Sequence, residues 1–421
     1  MKRFLALALC ALFACQTEAR TLYVDAKRPN NNGNGLKPET AKKTLQAAIN
    51  AAKKGDTIVV YPGTYAPIAT KDKEIKIKAK SGNAKTTIAT TATTKWGTAI
   101  AKLGKEWKEK HTTYDDYGYP KSSTWKSGGE TKGNKTSLTG FALDGGNRSI
   151  QAGVSGGTVA SCIVKNVGPS TTVCRSKLTG CTIRYNANLQ INGSTLDRCK
   201  VLNNRVLINL GPSEYVSESS QFSNCLFACN ETPPFESCTF ANCTVADNQT
   251  FAMSKSKAWN TVFHKVAASQ FKKSEKNKLK NCYKGSNPKF VSTSSSEKWI
   301  PDENGAEQKI TAVVHWYVED YAEGDTIHQS ATITGKNEAE INEQAFEYGM
   351  AGDDDYYYVD SYVYENGDYT DVPGNYHLKK GSPCINKGTK AKAANKLYGN
   401  KDLDGKKRVK GKSVDIGCYE Y

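Results

Sequence analysis

The chain has 421 residues, a formal charge of +16, 38% hydrophobic residues, 35 glycines and 22 tyrosines. A charged fraction of 24% beside that much aromatic surface excludes a disordered chain, and no apolar run reaches the ~18 residues of a membrane span. Thirteen cysteines are too sparse for a small disulfide scaffold, so a folded, basic, glycine-rich protein with its own core remains.

In chain order, the first element is an export signal over residues 1–19. Lys2 and Arg3 precede an apolar stretch from Phe4 to Ala14. Cleavage after Ala19 fits the small residues Thr17 and Ala19. Leu12-Phe13-Ala14-Cys15 also resembles a lipobox, which would anchor the chain through Cys15 instead. Either route delivers a secreted or cell-surface protein to a compartment that permits disulfides. Residues 44–54 read as a short helix with Leu45, Ala48, Ile49 and Ala52 on one face and Gly55 closing its end. Residues 57–61 then read as a strand, with Pro62-Gly63 as the turn.

The middle of the chain is a repeat. Eight segments share one template: an apolar residue, Cys three places later, then Ile, Val or Phe two further, usually followed by Asn. The column holds Phe141, Cys162, Cys181, Cys199, Cys225, Cys243, Thr261 and Cys282, spaced 21, 19, 18, 26, 18, 18 and 21 residues apart. A ~20-residue period with short apolar alternation is too tight for a helical repeat and suits one coil of a parallel β-solenoid. The Cys column and the residues two places on (Val164, Ile183, Val201, Phe227, Val245, Phe263) then face inward. Asn186, Asn204, Asn230 and Asn248 share one turn, where stacked amides bond the neighbouring coil and tolerate left-handed dihedrals. One small, readily buried Cys per coil, without paired His or CxxC, is a packing column rather than a zinc site. The pairing of Cys174, Cys229 and Cys238 is left open.

The opening TLYVDAKRPNNNGNGLKPETAKKTLQAAINAAKKGDTIVVYPGTY and the ending SPCINKG … DLDGKKRVKGKSVDIGCYEY resemble those of secreted right-handed parallel β-helix proteins, a group that includes pectate-lyase-like enzymes. With the coils, the resemblance covers most of the mature chain. It implies an all-β, right-handed parallel β-helix with an N-terminal capping helix, which shields an otherwise unpaired sheet edge. In that ending the positions of Cys384 and Cys418 usually hold small residues, so a Cys384–Cys418 disulfide tying the last coil is expected here.

An acidic stretch interrupts the ending. Residues 301–371 carry −16, which leaves +32 on the remainder. Within it, residues 310–318 and 356–364 read as strands and 337–349 as a helix with Asn337 as N-cap, together a small α/β or β-rich subdomain. The divisions expected are a signal (1–19), cap and coils (20–291), acidic insert (292–372) and final coil with tail (373–421). A second insert, residues 105–135, reads as a Lys-rich surface loop.

Solenoid sites are assembled from outward ladders. Three places past the Cys column stand Asp144, Lys165, Arg184, Leu202, Ala228, Ala246 and His264. Lyases acting on uronate polymers need a base and a cation that stabilises an enolate-like intermediate. The resemblance implies Lys or Arg as that base, with Asp holding Ca²⁺. Asp144, Lys165 and Arg184 are the catalytic candidates; a charge-compensated surface ladder is the other reading. Asp353, Asp354 and Asp355 are hard-oxygen candidates for Ca²⁺, or a solvated acidic loop. The paired carboxylates of inverting hydrolysis are missing from the coils. Nucleic acid is disfavoured, because export and a Lys-dominated charge do not match phosphate recognition. The expectation is a monomer that binds an acidic polysaccharide, with β-eliminative cleavage left open. The alternative is a non-catalytic, adhesin-like surface scaffold that presents the insert.

Overall fold

The computed structural model describes residues 19–421 apart from 92–93, 95–97, 106–107, 115–119, 128–132, 149–151, 169–170, 188, 206–216, 233, 302–309, 321–324, 337, 351–356, 365–366, 390–399 and 412. The signal segment and Cys15 therefore lie outside the described residues. Two compact units emerge: residues 1–182, 190–197 and 218–221, and residues 183–189, 198–217 and 222–421.

In the first unit, Thr21–Val24, Thr57–Val60, Lys76–Ala79, Ser137–Thr139, Thr158–Ala160, Lys177–Thr179 and Thr195–Asp197 stack as consecutive parallel strands of one sheet. Gly63–Tyr65, Thr86–Ala89, Ala142–Arg148 and Ile163–Val167 form a second parallel stack. Ile68–Ala69, Ala99–Lys102, Ala152–Ser155, Thr171–Cys174 and Ile191–Asn192 form a third. Each turn of chain visits every sheet once, the topology of a right-handed parallel β-helix. The period-2 pleat sorts the side chains. Leu138, Val159, Leu178 and Leu196 lie in register and fully buried, while Ser137, Thr158, Lys177 and Thr195 line the outer side.

The capping helix is shorter than its sequence pattern predicts. It spans Leu45–Ala51, with Thr44 accepting a bond from the Ala47 amide, and buries Leu45, Ala48 and Ile49. Lys73 ends it: its ammonium donates to the carbonyls of Ile49, Asn50 and Ala52, satisfying orphan acceptors of the last turn. Beyond it, buried Asp56 receives the guanidinium of Arg20 at 2.7 Å and the amides of Arg20 and Lys53. Burial pushes its carboxyl up, but those donors outweigh burial and hold it below the usual range.

The second unit continues the pattern, its strands recurring every 18, 21 or 26 residues. Lys200–Leu202, Leu226–Ala228, Thr244–Ala246 and Val262–Phe263 stack in parallel, as do Thr239–Ala241, Lys257–Trp259 and Lys278–Lys280. The corners are left-handed single residues: Asn224, Cys229, Ser237, Asn242, Asp247, Lys255, Asn260 and Lys265 all have φ between 48° and 55° or 58°. Their recurring five–eight–five spacing gives three bends per coil. Asn and Asp tolerate that conformation best among residues with a Cβ, which accounts for their abundance at the bends.

The expected columns are present. Cys181, Cys199, Cys225, Cys243 and Thr261 are buried, and so are Ile183, Val201, Phe227, Val245 and Phe263 two places on. Phe222, Phe227, Phe235, Phe240 and Phe251 add a packed aromatic interior with ring centroids 4.9–6.5 Å apart. The Asn ladder forms: the Asn186, Asn204 and Asn230 amides each donate at 2.8 Å to the next Asn carbonyl, which also accepts a main-chain N–H at 3.1 Å. One detail differs. The left-handed residues are the preceding ones, Tyr185, Asn203, Cys229 and Asp247, because the ladder Asn must aim its amide inward along the stack. A second ladder, Asn224–Asn242–Asn260, escaped the sequence reading.

In the acidic stretch, Ser295–Pro301 pairs antiparallel with Gly367–Val372. Ile310–Asp320 pairs with Tyr357–Tyr364 on one side and Asp325–Gly335 on the other, and helix Glu338–Met350 packs on this sheet through Ile341 and Ala345. The strand Asp325–Gly335 was not anticipated, since its apolar alternation is broken by His328, Gln329 and Ser330. Asn337 lies outside the described residues.

Candidate functional site

Asp144 and Lys165 occupy in-register positions on adjacent strands, as the ladder predicts. The Lys165 ammonium stands 3.4 Å from Asp144 Oδ2, and the Asn166 amide donates to Oδ1 at 3.1 Å. Both side chains remain partly exposed, so the pair is a charge-neutral feature of the outer face. Arg184 belongs to the second unit, where its guanidinium lies 5.1 Å from the centre of the Tyr185 ring and, among the described residues, its Nε meets no hydrogen-bond partner. Asp353, Asp354 and Asp355 lie outside the described residues, and among the described residues no group of three His, Cys, Asp or Glu side chains gathers as a metal site. Cys384 and Cys418 are buried in one apolar cluster, both as free thiols pushed up to about 12 by burial. Cys174, Cys229 and Cys238 take part in no disulfide either.

Further along the ladder, in the second unit, the row changes character. Ala228, Ala246 and His264 are buried, and Leu202 is partly so. The residues that cover this face come from the ending: Phe290, Tyr376, Leu378, Ile416, Cys418 and Tyr419. Cys418 N–H donates to Thr244 Oγ1 at 3.0 Å, and Gly417 N–H to the Asn260 carbonyl at 2.8 Å. Gly417 sits at φ 116°, where a Cβ would come within 2.9 Å of Thr244 Oγ1, so only glycine lets the tail lie this close.

At the margin of that covered face opens a polar cleft of about 420 Å³, its walls including Arg205, Asn230, Glu231, Gln249, Lys265 and Ser294. Its floor is Asp247, at a left-handed corner one place past the ladder row. Asp247 is buried, yet its Oδ2 receives the Ser294 amide at 2.8 Å and the Tyr376 hydroxyl at 3.0 Å, and Lys265 Nζ lies 2.8 Å from Oδ1. Burial pushes the carboxyl up, but Lys265, Ser294 and Tyr376 outweigh it and keep Asp247 ionised. Burial, with Cys229 and Asp247 nearby, drives the Tyr376 hydroxyl far above its ordinary range. His264 Nε2 is 3.7 Å from Asp247 Oδ1. Burial lowers the imidazole more than Asp247 raises it, so the ring is neutral.

This arrangement has a clear division of labour. Asp247 lines the cleft with its side chain only 2% exposed, and it anchors the ammonium of Lys265, whose side chain is 59% exposed at the cleft wall. With Arg205, the cleft brings together two cations, the carboxylates of Glu231 and Asp247 and several side-chain amides, a polar set suited to the hydroxyls and carboxylate of a sugar. The sequence reading passed over Asp247 and Lys265. The available signal was a charged residue at a corner column otherwise held by Asn, Tyr and Cys.

No protein-family model and no curated protein matches the chain. Among solved structures, it is similar to the pectate lyase Pel9A, with a TM-score of 0.47 and 13% identity over 95% of this chain and 96% of that one. It is also similar to a rhamnogalacturonan lyase (TM-score 0.36, 8% identity, 65% and 91% covered). A third likeness is to a pectin methylesterase from Erwinia chrysanthemi (TM-score 0.28, 10% identity, 73% and 84% covered).

Proposed function

We propose that this is an exported parallel β-helix protein that binds an acidic polysaccharide, and that any cleavage it performs is β-elimination. The observation that carries the reading is the cleft over Asp247, where a buried carboxylate fixes Lys265 in a wall that also holds Arg205, Glu231 and amide side chains. A uronate would place its carboxylate on the two cations and its hydroxyls on Gln249 and Asn203. The +32 carried by the chain outside residues 301–371 supports long-range attraction of such a polyanion. For elimination, Lys165, with Asp144 as its partner, is one base candidate, and Arg184 by itself is the other.

The test is a screen of the purified mature protein on pectate, alginate and glycosaminoglycans, with and without Ca²⁺. Binding is read by co-sedimentation and elimination by the absorbance of an unsaturated uronate. Binding that drops at least tenfold in Arg205→Ala/Lys265→Ala is the expected result; absence of binding to every polymer sinks the proposal. A second reading, a non-catalytic surface scaffold, is favoured by one observation: Asp144 and Lys165 neutralise each other. Binding without elimination would establish it. Elimination that survives Lys165→Ala and Arg184→Ala unchanged would remove those two residues from the mechanism.

A further inference from the structure

Apart from the cleft, the outer face of the second unit carries a group with no part in the account so far. Strand Lys257–Trp259 pairs in parallel with Thr239–Ala241 on one side and Lys278–Lys280 on the other. Ala258 is fully buried, so the pleat turns its neighbours Lys257 and Trp259 outward. Register sets Lys257 beside Lys278 and Trp259 beside Lys280, across a strand spacing of ~4.8 Å. The three lysines are exposed and Trp259 is half-buried, which leaves part of the indole accessible. Among the described residues, none of the three ammonium groups forms an ion pair.

Two of these lysines have an ordinary explanation. Lys278 and Lys280 lie on the last strand of their stack, and lysines on an edge strand discourage pairing with another sheet. That account stops there. Lys257 and Trp259 sit on a strand paired on both sides, where no edge needs guarding. Lys257 directly beside Lys278 is a like-charge pair, which costs stability unless an anion is present.

We propose that Trp259, Lys257, Lys278 and Lys280 form a second glycan-binding surface, separate from the cleft, for a linear polyuronate. The apolar C–H face of a sugar ring packs on the indole, and carboxylates of that ring and its neighbour meet the lysines. The inference rests on the acidic-polysaccharide reading above and adds a place where the polymer is held outside the cleft.

The experiment is titration of galacturonate and guluronate hexamers into the full mature protein, followed by calorimetry and by tryptophan emission. Wild type is expected to bind with a change in emission that disappears in Trp259→Ala, together with at least fivefold weaker binding. Lys257→Glu should weaken binding about tenfold at low salt, and Trp259→Phe should restore most of the affinity lost in Trp259→Ala. Arg205→Ala/Lys265→Ala should leave the emission change in place. Should Trp259→Ala fail to fold, the exposed Lys257→Glu variant still decides. Wild-type binding that Trp259→Ala and Lys257→Glu leave untouched overturns this surface while sparing the acidic-polysaccharide reading. Failure of wild type to bind either hexamer overturns both.

Discussion

The same position in the repeat has opposite chemistry in the two units. In the first, Asp144 and Lys165 stand partly exposed and neutralise one another. In the second, Ala228 and Ala246 occupy that position and are buried in one cluster with Tyr376, Leu378, Ile416 and Tyr419, and His264 is buried against Phe290. A solenoid's outer face is thus not one surface. What covers each coil decides whether its ladder is built for water or for packing, and the cleft forms where the covered stretch ends.

The largest expected effect breaks the covered face directly. Ala246→Lys forces an ammonium under the tail with no partner, and should cost about 3 kcal/mol or more in urea unfolding. Lys165→Ala at the equivalent place in the first unit should cost about 0.5 kcal/mol or less, as partly exposed ion pairs do. Similar losses in the two variants would refute the contrast.

Next comes the interior polar stack. Asn204 is fully buried and bonds to Asn186, Asn230, Ile183 and Leu202, so Asn204→Ala strands several donors and acceptors at once. A loss of about 2–3 kcal/mol is expected, against a few tenths for Thr195→Ala on the exposed outer face.

A smaller, pH-dependent effect belongs to the covering tail. Arg408 is completely buried, donating to the carbonyls of Asp415 and Gly417, with Glu420 3.7 Å from its Nε. Burial raises Glu420 to about 7; Arg408 opposes the rise and Asp415 and Asp402 reinforce it. Because the native state then holds a proton that the unfolded chain releases near pH 4.5, stability falls as pH rises from about 4.5 through 7. The change should be on the order of 1–3 kcal/mol, and Glu420→Gln should flatten it. Asp247 acts with the opposite sign: its lowered value adds stability above the unfolded carboxylate range, which is lost as pH falls through the native value. Chemical denaturation from pH 2 to 8 separates the two, since Asp247→Asn removes only the acid limb below about pH 4.

The smallest expected effect is at the Cys column. Cys225 is buried between Cys199 and Cys243, and burial raises its thiol well above the ordinary range. Iodoacetamide should not modify it in the native state, and Cys225→Ala should cost about 1 kcal/mol, the loss of a small packed group. Rapid native labelling would contradict a packing role.

Much of the coil was legible because a stacked strand must repeat its own inward pattern. Cys162 to Cys243, their partners two places on, and the ladder Asn186–Asn248 had to recur for the columns to fill. The capping helix was legible in kind but not in length, because Lys73, 22 residues beyond Ala51, ends it from outside the local pattern. Asp144 and Lys165 were found as a pair because neighbours in a ladder are neighbours in the repeat. Asp247 was missed for the converse reason. Its partners Ser294 and Tyr376 come from outside the repeat, 47 and 129 residues away, and no period encodes them.

The sequence by itself determined the fold class, the inward columns and the split between a basic body and an acidic stretch, since periodic burial and charge are properties of local pattern. Only the tertiary structure decided which outward faces stay wet. The tail's return over Ala228 and Ala246 depends on contacts across more than a hundred residues, and the enclosure of Asp247 on Ser294 and Tyr376, 47 and 129 residues away. Such contacts, not composition, set the protonation of the groups they enclose.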